Sequence, residues 1–87
     1  MWFVYILLCS DNTFYTGITN DIERRINEHN NSNKSAKYTR IRRPVKLIYS
    51  KIFDTKSEAC IEEYRIKQLT RKQKEYLIIN CDKNLKK

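Results

Sequence analysis

The sequence lacks any apolar run that is long enough to cross a membrane. Its longest apolar run, Phe3 to Cys9, is far shorter than the ~18 residues that a transmembrane helix needs. It also lacks the basic lead-in and the cleavage site of a secretory signal peptide. These absences exclude a membrane-spanning protein, and we expect a cytoplasmic location with no membrane partner.

Cysteine is scarce, since only Cys9, Cys60 and Cys81 occur, and no two of them have C-x-x-C spacing. An odd number without that spacing argues against a disulfide framework and against a thiolate zinc site. We expect all three cysteines to be small buried hydrophobic residues. This usage agrees with a reducing compartment.

Acidic residues are few relative to basic ones, with 10 Asp and Glu against 18 Lys and Arg, so the net charge is +8. Such a charge favours polyanionic partners, nucleic acid first and an anionic membrane surface second. The length of 87 residues bounds the chain to one domain with a modest core. We expect this domain over residues 1–82 and a basic tail over residues 83–87.

The only glycine, Gly17, and the only histidine, His29, fall in one stretch near the N-terminus. Glycine is needed where the backbone has positive φ or where another group must approach it closely. Histidine is the side chain best suited to proton transfer near neutral pH. Because Arg25 precedes His29 by four residues, both side chains project from one face of a predicted helix.

Two strands and a turn are predicted before that helix. Residues 3–8 are continuously apolar, which is typical of a strand covered on both faces. Residues 10–12 are Ser-Asp-Asn, which is turn composition, and residues 13–17 return as the second strand.

The length of the turn decides whether Tyr5 and Tyr15 lie on the same face of this hairpin. A two-residue loop would put them on opposite faces, because side chains alternate along a strand. A three-residue loop at 10–12 would pair Tyr15 with Leu7 and Tyr5 with Gly17, which puts both phenol rings on one face. We predict the three-residue loop or an equivalent bulge.

The remaining elements are a third strand and three helices. Pro44 can open a strand but cannot lie within one, so the strand is expected over residues 45–53. The predicted helices end near residues 30–33, Leu69 and Asn80. Their starts are marked by the capping pairs Asn20 with Glu23, Thr55 with Glu58, and Thr70 with Gln73.

Alternation along the third strand predicts its two faces. One face would carry Val45, Leu47, Tyr49 and Phe53, and the other Ile48 and Ile52. The expected fold is a mixed α/β (α+β) domain with a small three-stranded, mainly antiparallel sheet flanked by helices. The predicted order of elements is β-β-α-β-α-α.

Residues 30–53 contain no acidic residue but many basic ones: Lys34, Lys37, Arg40, Arg42, Arg43, Lys46 and Lys51. This basic window is either a solvated, mobile loop or a surface that follows the phosphates of a nucleic acid. In the second interpretation Tyr38 is available to stack on a base. The clustering without compensating acids favours the second.

The motifs taken together resemble the GIY-YIG nuclease superfamily, and most closely its small stand-alone bacterial members. Phe3-Val4-Tyr5 stands at the first triplet and Tyr15-Thr16-Gly17 at the second, and the similarity continues through Arg25 and His29. It resumes at Glu63-Tyr64-Arg65-Ile66-Lys67. Phe3 replaces the first glycine of the family, and Asn80 is left out of the predicted site because its surroundings do not match.

The resemblance implies an endonuclease that cuts DNA with one divalent cation, Mg²⁺ or Mn²⁺. Tyr15 would be the general base, Tyr5 and His29 would hold the hydrogen-bond network, and Arg25 would contact the scissile phosphate. Glu63 would carry the metal, with Glu62 as the alternative. Only one of the two can face the site, because successive helical residues point about 100° apart. The expected substrate-binding residues are Gly17, Lys37, Tyr38, Arg40, Arg42, Arg43 and Lys67.

Two other functions agree with the same residues. The basic window and the missing first glycine also suit a nucleic-acid-binding module without catalysis. A nuclease subunit that a protein partner directs to its substrate is the other alternative. In each, we expect DNA ahead of RNA as the nucleic-acid partner.

Overall fold

A computed structural model describes the backbone of residues 1–85 and the side chains of residues 1–80. It has the strands and helices β1 (Trp2–Leu8), β2 (Phe14–Thr19), α1 (Ile22–Asn31), α2 (Lys37–Arg40), β3 (Lys46–Phe53), α3 (Lys56–Lys67) and α4 (Arg71–Leu85). The predicted α+β class and three-stranded antiparallel sheet are confirmed. The order differs from the prediction by α2, a single turn inside the basic window.

Strand β1 is the centre of the sheet, whose order is β2-β1-β3. Its residues Val4, Tyr5, Ile6 and Leu7 are buried. Val4 and Ile6 face one core with α3 and α4, whereas Tyr5 and Leu7 face a second core with α1. The strand is therefore covered on both faces, as its continuous apolar sequence predicts.

The hairpin between β1 and β2 has the predicted register. Tyr5 pairs with Gly17 and Leu7 with Tyr15, so both phenol rings lie on one face. The backbone N–H of Cys9 donates to the Thr13 carbonyl at 2.8 Å, which leaves a three-residue loop.

Within that loop, Asn12 has φ 69°. Asparagine tolerates this left-handed conformation better than most residues do, and three-residue hairpin loops need it at this position. The Asp11 carboxylate accepts hydrogen bonds from the backbone N–H and the hydroxyl of Thr13, at 3.2 and 2.6 Å. Local turn chemistry therefore sets the face on which Tyr15 lies.

The predicted faces of β3 are wrong, because a bulge interrupts its pairing with β1. Ile6 pairs with Tyr49 but the next residue, Leu7, pairs with Leu47, so Ile48 is the extra residue. A bulge of one residue reverses the alternation beyond it. Val45 and Leu47 therefore lie in the core with Tyr5, whereas Tyr49 and Phe53 lie in the core with Val4 and Ile6.

The helix starts are correct for α3 and α4 and wrong by one residue for α1. Both capping pairs after β3 form in both directions. The N-cap of α1 is Asp21 rather than Asn20, because the Asp21 carboxylate accepts from the Arg24 backbone N–H at 3.1 Å. The Asn20 side chain instead accepts from the guanidinium of Arg24.

Other predicted boundaries and environments differ in detail. Helix α3 ends at Lys67 and α4 continues to Leu85. Cys9 is buried as expected, but Cys60 is exposed on the outer face of α3, which corrects that prediction. The Cys81 side chain lies outside the described residues, as do Lys86, Lys87 and the side chains of the predicted tail, so the division at residue 82 stays a prediction. Within residues 1–85, no helix is both long and apolar enough to cross a membrane.

Candidate active site

Three rings from separate elements meet on the face of the sheet that α1 covers. The Tyr5 hydroxyl on β1 lies 2.9 Å from Nε2 of His29 on α1. The ring of Tyr15 on β2 lies 5.1 Å from the His29 ring and 6.3 Å from the Tyr5 ring, measured between centroids. The hairpin register therefore brings both predicted tyrosines to the predicted histidine.

The hydrogen bonds around His29 determine which ring nitrogen carries its proton. The Thr39 hydroxyl lies 3.0 Å from the Ala36 carbonyl, which can only accept, so the hydroxyl donates there. The same hydroxyl lies 2.7 Å from His29 Nδ1 and must accept from it. With the proton on Nδ1, the neutral ring has Nε2 free to accept from the Tyr5 hydroxyl.

The pKa values of Tyr5 and His29 agree with a neutral pair. Burial raises the pKa of Tyr5 to about 12; Tyr15 and then Glu63 add to this rise, and Arg25 opposes it. Burial also lowers the pKa of His29 to about 4, with Arg25 adding to the effect. At neutral pH the pair is therefore a phenol that donates to an imidazole.

Gly17 allows Tyr5 to lie where it does. Its φ is not positive, so conformational freedom is not the reason for a glycine here. A Cβ atom at this position would lie 2.6 Å from the Tyr5 hydroxyl oxygen and 2.8 Å from its Cζ. The close approach that a glycine permits is thus made by the chain's own Tyr5 ring, directly across the strand pair.

Arg25 borders this cluster from α1. Its guanidinium donates to the Glu28 carboxylate at 3.1 Å and to the Lys34 carbonyl at 2.9 Å. Its charge is close enough to influence the pKa values of both Tyr5 and His29. The predicted pairing of Arg25 and His29 on one helix face therefore brings a cation to the ring cluster.

Glu63 and Glu62 point in different directions from α3. Glu62 binds the guanidinium of Arg65 with both carboxylate oxygens, at 2.8 and 2.7 Å. Glu63 lies 3.3 Å from the Lys67 ammonium, and its charge raises the pKa of Tyr5. Of the two candidates, Glu63 is the one whose charge reaches the ring cluster.

The donor set suits a metal ion that keeps most of its own water. Among residues 1–80, no group of three or more His, Cys, Asp or Glu side chains could enclose a metal. A single carboxylate beside a phenol is compatible with Mg²⁺, which dehydrates reluctantly and is bound by one or two carboxylates. Of the site's residues, Glu63 is therefore the one that could hold such a cation.

Tyr38 and Arg42 connect the basic window to the ring cluster. The Tyr38 ring stacks on the Tyr15 ring with centroids 6.1 Å apart and an angle of 28°. The Arg42 guanidinium lies over the Tyr38 ring at 3.9 Å from its centroid, and it also pairs with Asp11 at 2.9 Å. Arg42 thus ties Tyr38 to the hairpin turn.

The other predicted substrate-binding residues have different environments. Arg43 is half-buried and donates to the carbonyls of Glu28, His29 and Ser32. Arg40 donates to the Asn33 carbonyl at 2.7 Å. Lys37 is exposed, and Lys67 is paired with Glu63.

Sequence reasoning missed Thr39, which determines the protonated nitrogen of His29, and Lys74, which lies in a cleft beside Tyr15. Thr39 follows Tyr38 in the basic window, where the lysines and arginines are the feature that the sequence shows. A threonine is an ordinary N-cap or surface residue in such a segment. Only its burial and its two partners reveal its position at the site.

Comparison with known proteins assigns the chain to a family. The GIY-YIG catalytic domain matches residues 1–84, and the chain belongs to the GIY-YIG family. Membership implies nuclease-type activity on nucleic acid, and GIY-YIG nucleases generally use divalent metal ions.

The similar proteins are UPF0213 proteins, a small stand-alone group within that family. The one from Bacillus velezensis is 57% identical over 76 residues, which cover 87% of this chain and 76% of that protein. The one from Halobacterium salinarum is 57% identical over 77 residues, 88% of this chain and 99% of that protein.

The solution NMR structure of EF2693 from E. faecalis is 50% identical, with a TM-score of 0.62 over 90% of this chain and 82% of that one. The corresponding structure of the UPF0213 protein BH0048 from Bacillus halodurans is 48% identical, with a TM-score of 0.58 over 90% of this chain and 83% of that one.

Proposed function

We propose that this chain is an endonuclease that hydrolyses phosphodiester bonds in DNA with one divalent cation. The observation that carries the proposal is the convergence of Tyr5, Tyr15 and His29, within reach of the charges of Arg25 and Glu63. These residues come from four separate elements, β1, β2, α1 and α3.

The roles of the two tyrosines follow from their different environments. Tyr5 donates its proton to a buried imidazole and has a pKa of about 12, so it stays a phenol at neutral pH. Tyr15 is less buried and has no such partner among the described residues, which leaves its hydroxyl to act on water. We therefore assign Tyr15 as the general base and Tyr5 with His29 as the network that orients the water.

Arg25 is assigned to the scissile phosphate. Its guanidinium lies at the border of the ring cluster, where it is bound to the side chain of Glu28 and the carbonyl of Lys34. A guanidinium matches two phosphate oxygens better than an ammonium does. Contact with the developing charge on the phosphorus oxygens would stabilise the transition state more than the ground state.

Glu63 is assigned as the carrier of Mg²⁺ or Mn²⁺. A divalent cation bound there would neutralise charge on the leaving oxygen and make a bound water more acidic. The net charge of +8 supports a polyanionic substrate, and DNA is proposed ahead of RNA.

The test is cleavage of labelled single-stranded, duplex and branched DNA, and of RNA, with and without added Mg²⁺ or Mn²⁺. Tyr15→Phe, Arg25→Ala and Glu63→Gln should each lower the cutting rate at least ~100-fold. Glu62→Gln is the matched control, because Glu62 is the adjacent carboxylate but binds Arg65 instead. Equal loss in Glu62→Gln and Glu63→Gln would contradict the assignment of the metal carrier. Undiminished cutting by all three site variants would show that the activity is not this protein's.

A binding module without catalysis is the second candidate. It is favoured by Phe3 in place of the first glycine, and by ion pairs that engage both Arg25 and Glu63. It predicts salt-sensitive binding of nucleic acid with no strand scission under any metal. Scission that disappears in Glu63→Gln would exclude it. Targeting by a protein partner stays a prediction, to be checked by co-purification from the host.

A further inference from the structure

A cleft of about 230 Å³ opens beside Tyr15. It lies between the free edge of β2 and the helices α3 and α4, and its lining residues are Phe14, Tyr15, Thr16, Tyr38, Lys67 and Lys74. Tyr15 belongs both to this cleft and to the proposed active site. A strand of nucleic acid whose scissile bond lies at Tyr15 would therefore extend into the cleft.

The Lys74 ammonium has no counter-ion in the described part of the chain. Lys74 is half-buried, whereas most lysines of this protein are exposed. No hydrogen bond, ion pair or aromatic contact of its ammonium occurs among residues 1–80. A lysine that lines a cleft without a counter-ion there can pair with an anionic ligand that enters the cleft.

A second polar group at the cleft also lacks a partner. The Thr16 hydroxyl is buried and makes no hydrogen bond within residues 1–80, and no other buried side chain there shares this property. Such groups are uncommon in folded proteins and call for an explanation. Because the oxygen is covered, it would reach a ligand by rotation about the Cα–Cβ bond of Thr16 into the cleft.

We propose that this cleft is a second phosphate subsite, in which Lys74 is the principal contact and Thr16 adds a hydrogen bond. Its ligand would be the phosphate next to the scissile one along the strand. Lys67 lines the same cleft but is already paired with Glu63 at 3.3 Å, so Lys74 has the uncompensated charge there. The inference rests on the proposed nuclease function for the identity of the strand and not for the binding of an anion.

The experiment measures binding of a fluorescent DNA oligonucleotide by anisotropy in EDTA, where metal-dependent cutting is blocked. Lys74→Gln should weaken binding about 5- to 10-fold at low salt. It should also lower the slope of log K against log [NaCl] by ~0.7–0.9, the contribution of one phosphate contact. Lys72→Gln is the matched control, because Lys72 lies on the same helix and is exposed but does not line this cleft. It should change affinity less than ~2-fold.

A scan of neutral methylphosphonates along the oligonucleotide then locates the contact. Replacing one particular phosphate should weaken binding by the wild type and leave binding by Lys74→Gln almost unchanged. This non-additivity is the coupling expected when Lys74 contacts that phosphate directly. Thr16→Val should weaken binding about 2- to 5-fold and show the same dependence on that phosphate. Inorganic phosphate up to millimolar concentrations serves as the competitor, to separate a subsite for a chain phosphate from a site for the free ion.

Each outcome bears on the subsite separately from the nuclease. If Lys74→Gln and Lys72→Gln weaken binding equally, or if no single phosphate couples to Lys74, the subsite does not exist. If free phosphate displaces the oligonucleotide from wild type but not from Lys74→Gln, and no single phosphate of the strand couples to Lys74, the site is one for the free anion and the proposal fails. A specific coupling found in a protein that cuts no substrate would support the subsite and overturn only the nuclease. Cutting by a protein in which no phosphate couples to Lys74 would support the nuclease and overturn only the subsite.

Discussion

His29 Nδ1 lies 2.7 Å from the hydroxyl of Thr39, and that hydroxyl lies 3.0 Å from the Ala36 carbonyl. Because the Ala36 carbonyl can only accept, the direction of donation is fixed along the whole line: Tyr5 donates to His29, His29 to Thr39, and Thr39 to Ala36. The chain segment between α1 and β3 therefore does more than present positive charge. It holds the imidazole in the tautomer whose Nε2 can accept a hydrogen bond from Tyr5.

Replacing Thr39 should change the tautomer of His29. In the wild type, ¹⁵N NMR of the imidazole should show the proton on Nδ1, and the signal is unambiguous because this is the only histidine. Thr39→Val removes the acceptor and should produce a mixture of tautomers, with cutting about 10-fold slower. Thr39→Ser should retain both the tautomer and the activity. An unchanged ¹⁵N spectrum in Thr39→Val would contradict the assigned line of donors.

Stability should fall in acid because His29 is buried in its neutral form. Its pKa is lowered to about 4 from its usual 6.5, so the unfolded chain binds a proton that the folded chain does not. The contribution of neutral His29 to the free energy of unfolding is complete above pH ~6.5. It is lost as the pH falls toward ~4, by up to about 3 kcal/mol. Urea unfolding at a series of pH values measures it.

The control for the acid effect is His29→Gln, which removes the titrating group and keeps a side chain that can accept from Tyr5. Carboxylates also titrate in this range, so the difference in slope between the two proteins is the quantity to compare. Parallel slopes between pH 6.5 and pH 4 would mean that His29 is not the cause.

Gly17→Ala should displace Tyr5. The new methyl group would lie 2.6 Å from the Tyr5 hydroxyl oxygen, and this ring cannot move freely because it is buried and bound to His29. We expect a loss of about 1–3 kcal/mol in the free energy of unfolding, together with loss of the Tyr5–His29 hydrogen bond. Chemical denaturation measures the first and NMR of His29 Nε2 the second.

The same substitution in a Tyr5→Phe background tests the cause. Without the phenol oxygen the closest contact becomes the ring carbon Cζ at 2.8 Å, so the added cost of Gly17→Ala should be smaller there. An equal cost in both backgrounds would indicate that the clash lies elsewhere.

Arg43→Lys should destabilise the protein although it conserves charge. The Arg43 guanidinium donates to the carbonyls of Glu28, His29 and Ser32 and to the Ser35 hydroxyl. A lysine ammonium cannot donate to all of these acceptors from one planar group, so about 2–4 kcal/mol of unfolding free energy should be lost. Thermal unfolding followed by circular dichroism provides the measurement.

Arg40→Lys is the matched control for Arg43, since Arg40 is exposed and donates to a single carbonyl, that of Asn33. Its substitution should cost less than about 1 kcal/mol. Comparable losses at both positions would show that net charge in the basic window, rather than the bonds of Arg43, controls stability.

The sequence by itself determined the features that depend on neighbours in the chain. The three residues of the first turn set the register that puts Tyr5 and Tyr15 on one face, and the pairs Thr55 with Glu58 and Thr70 with Gln73 set two helix starts. Each is a contact across only a few residues, so composition and spacing specify it.

Tertiary structure alone decided the features that need a partner far along the chain. The bulge at Ile48 changes which side chains of β3 lie on each face of the sheet, because the bulge arises in the pairing of β3 with β1. Thr39 is buried because the Ala36 carbonyl and the imidazole lie beside its hydroxyl, and Arg43 is half-buried because its guanidinium binds carbonyls of α1. Charge and propensity treat these residues as surface groups, and only the position of their acceptors in the folded chain shows otherwise.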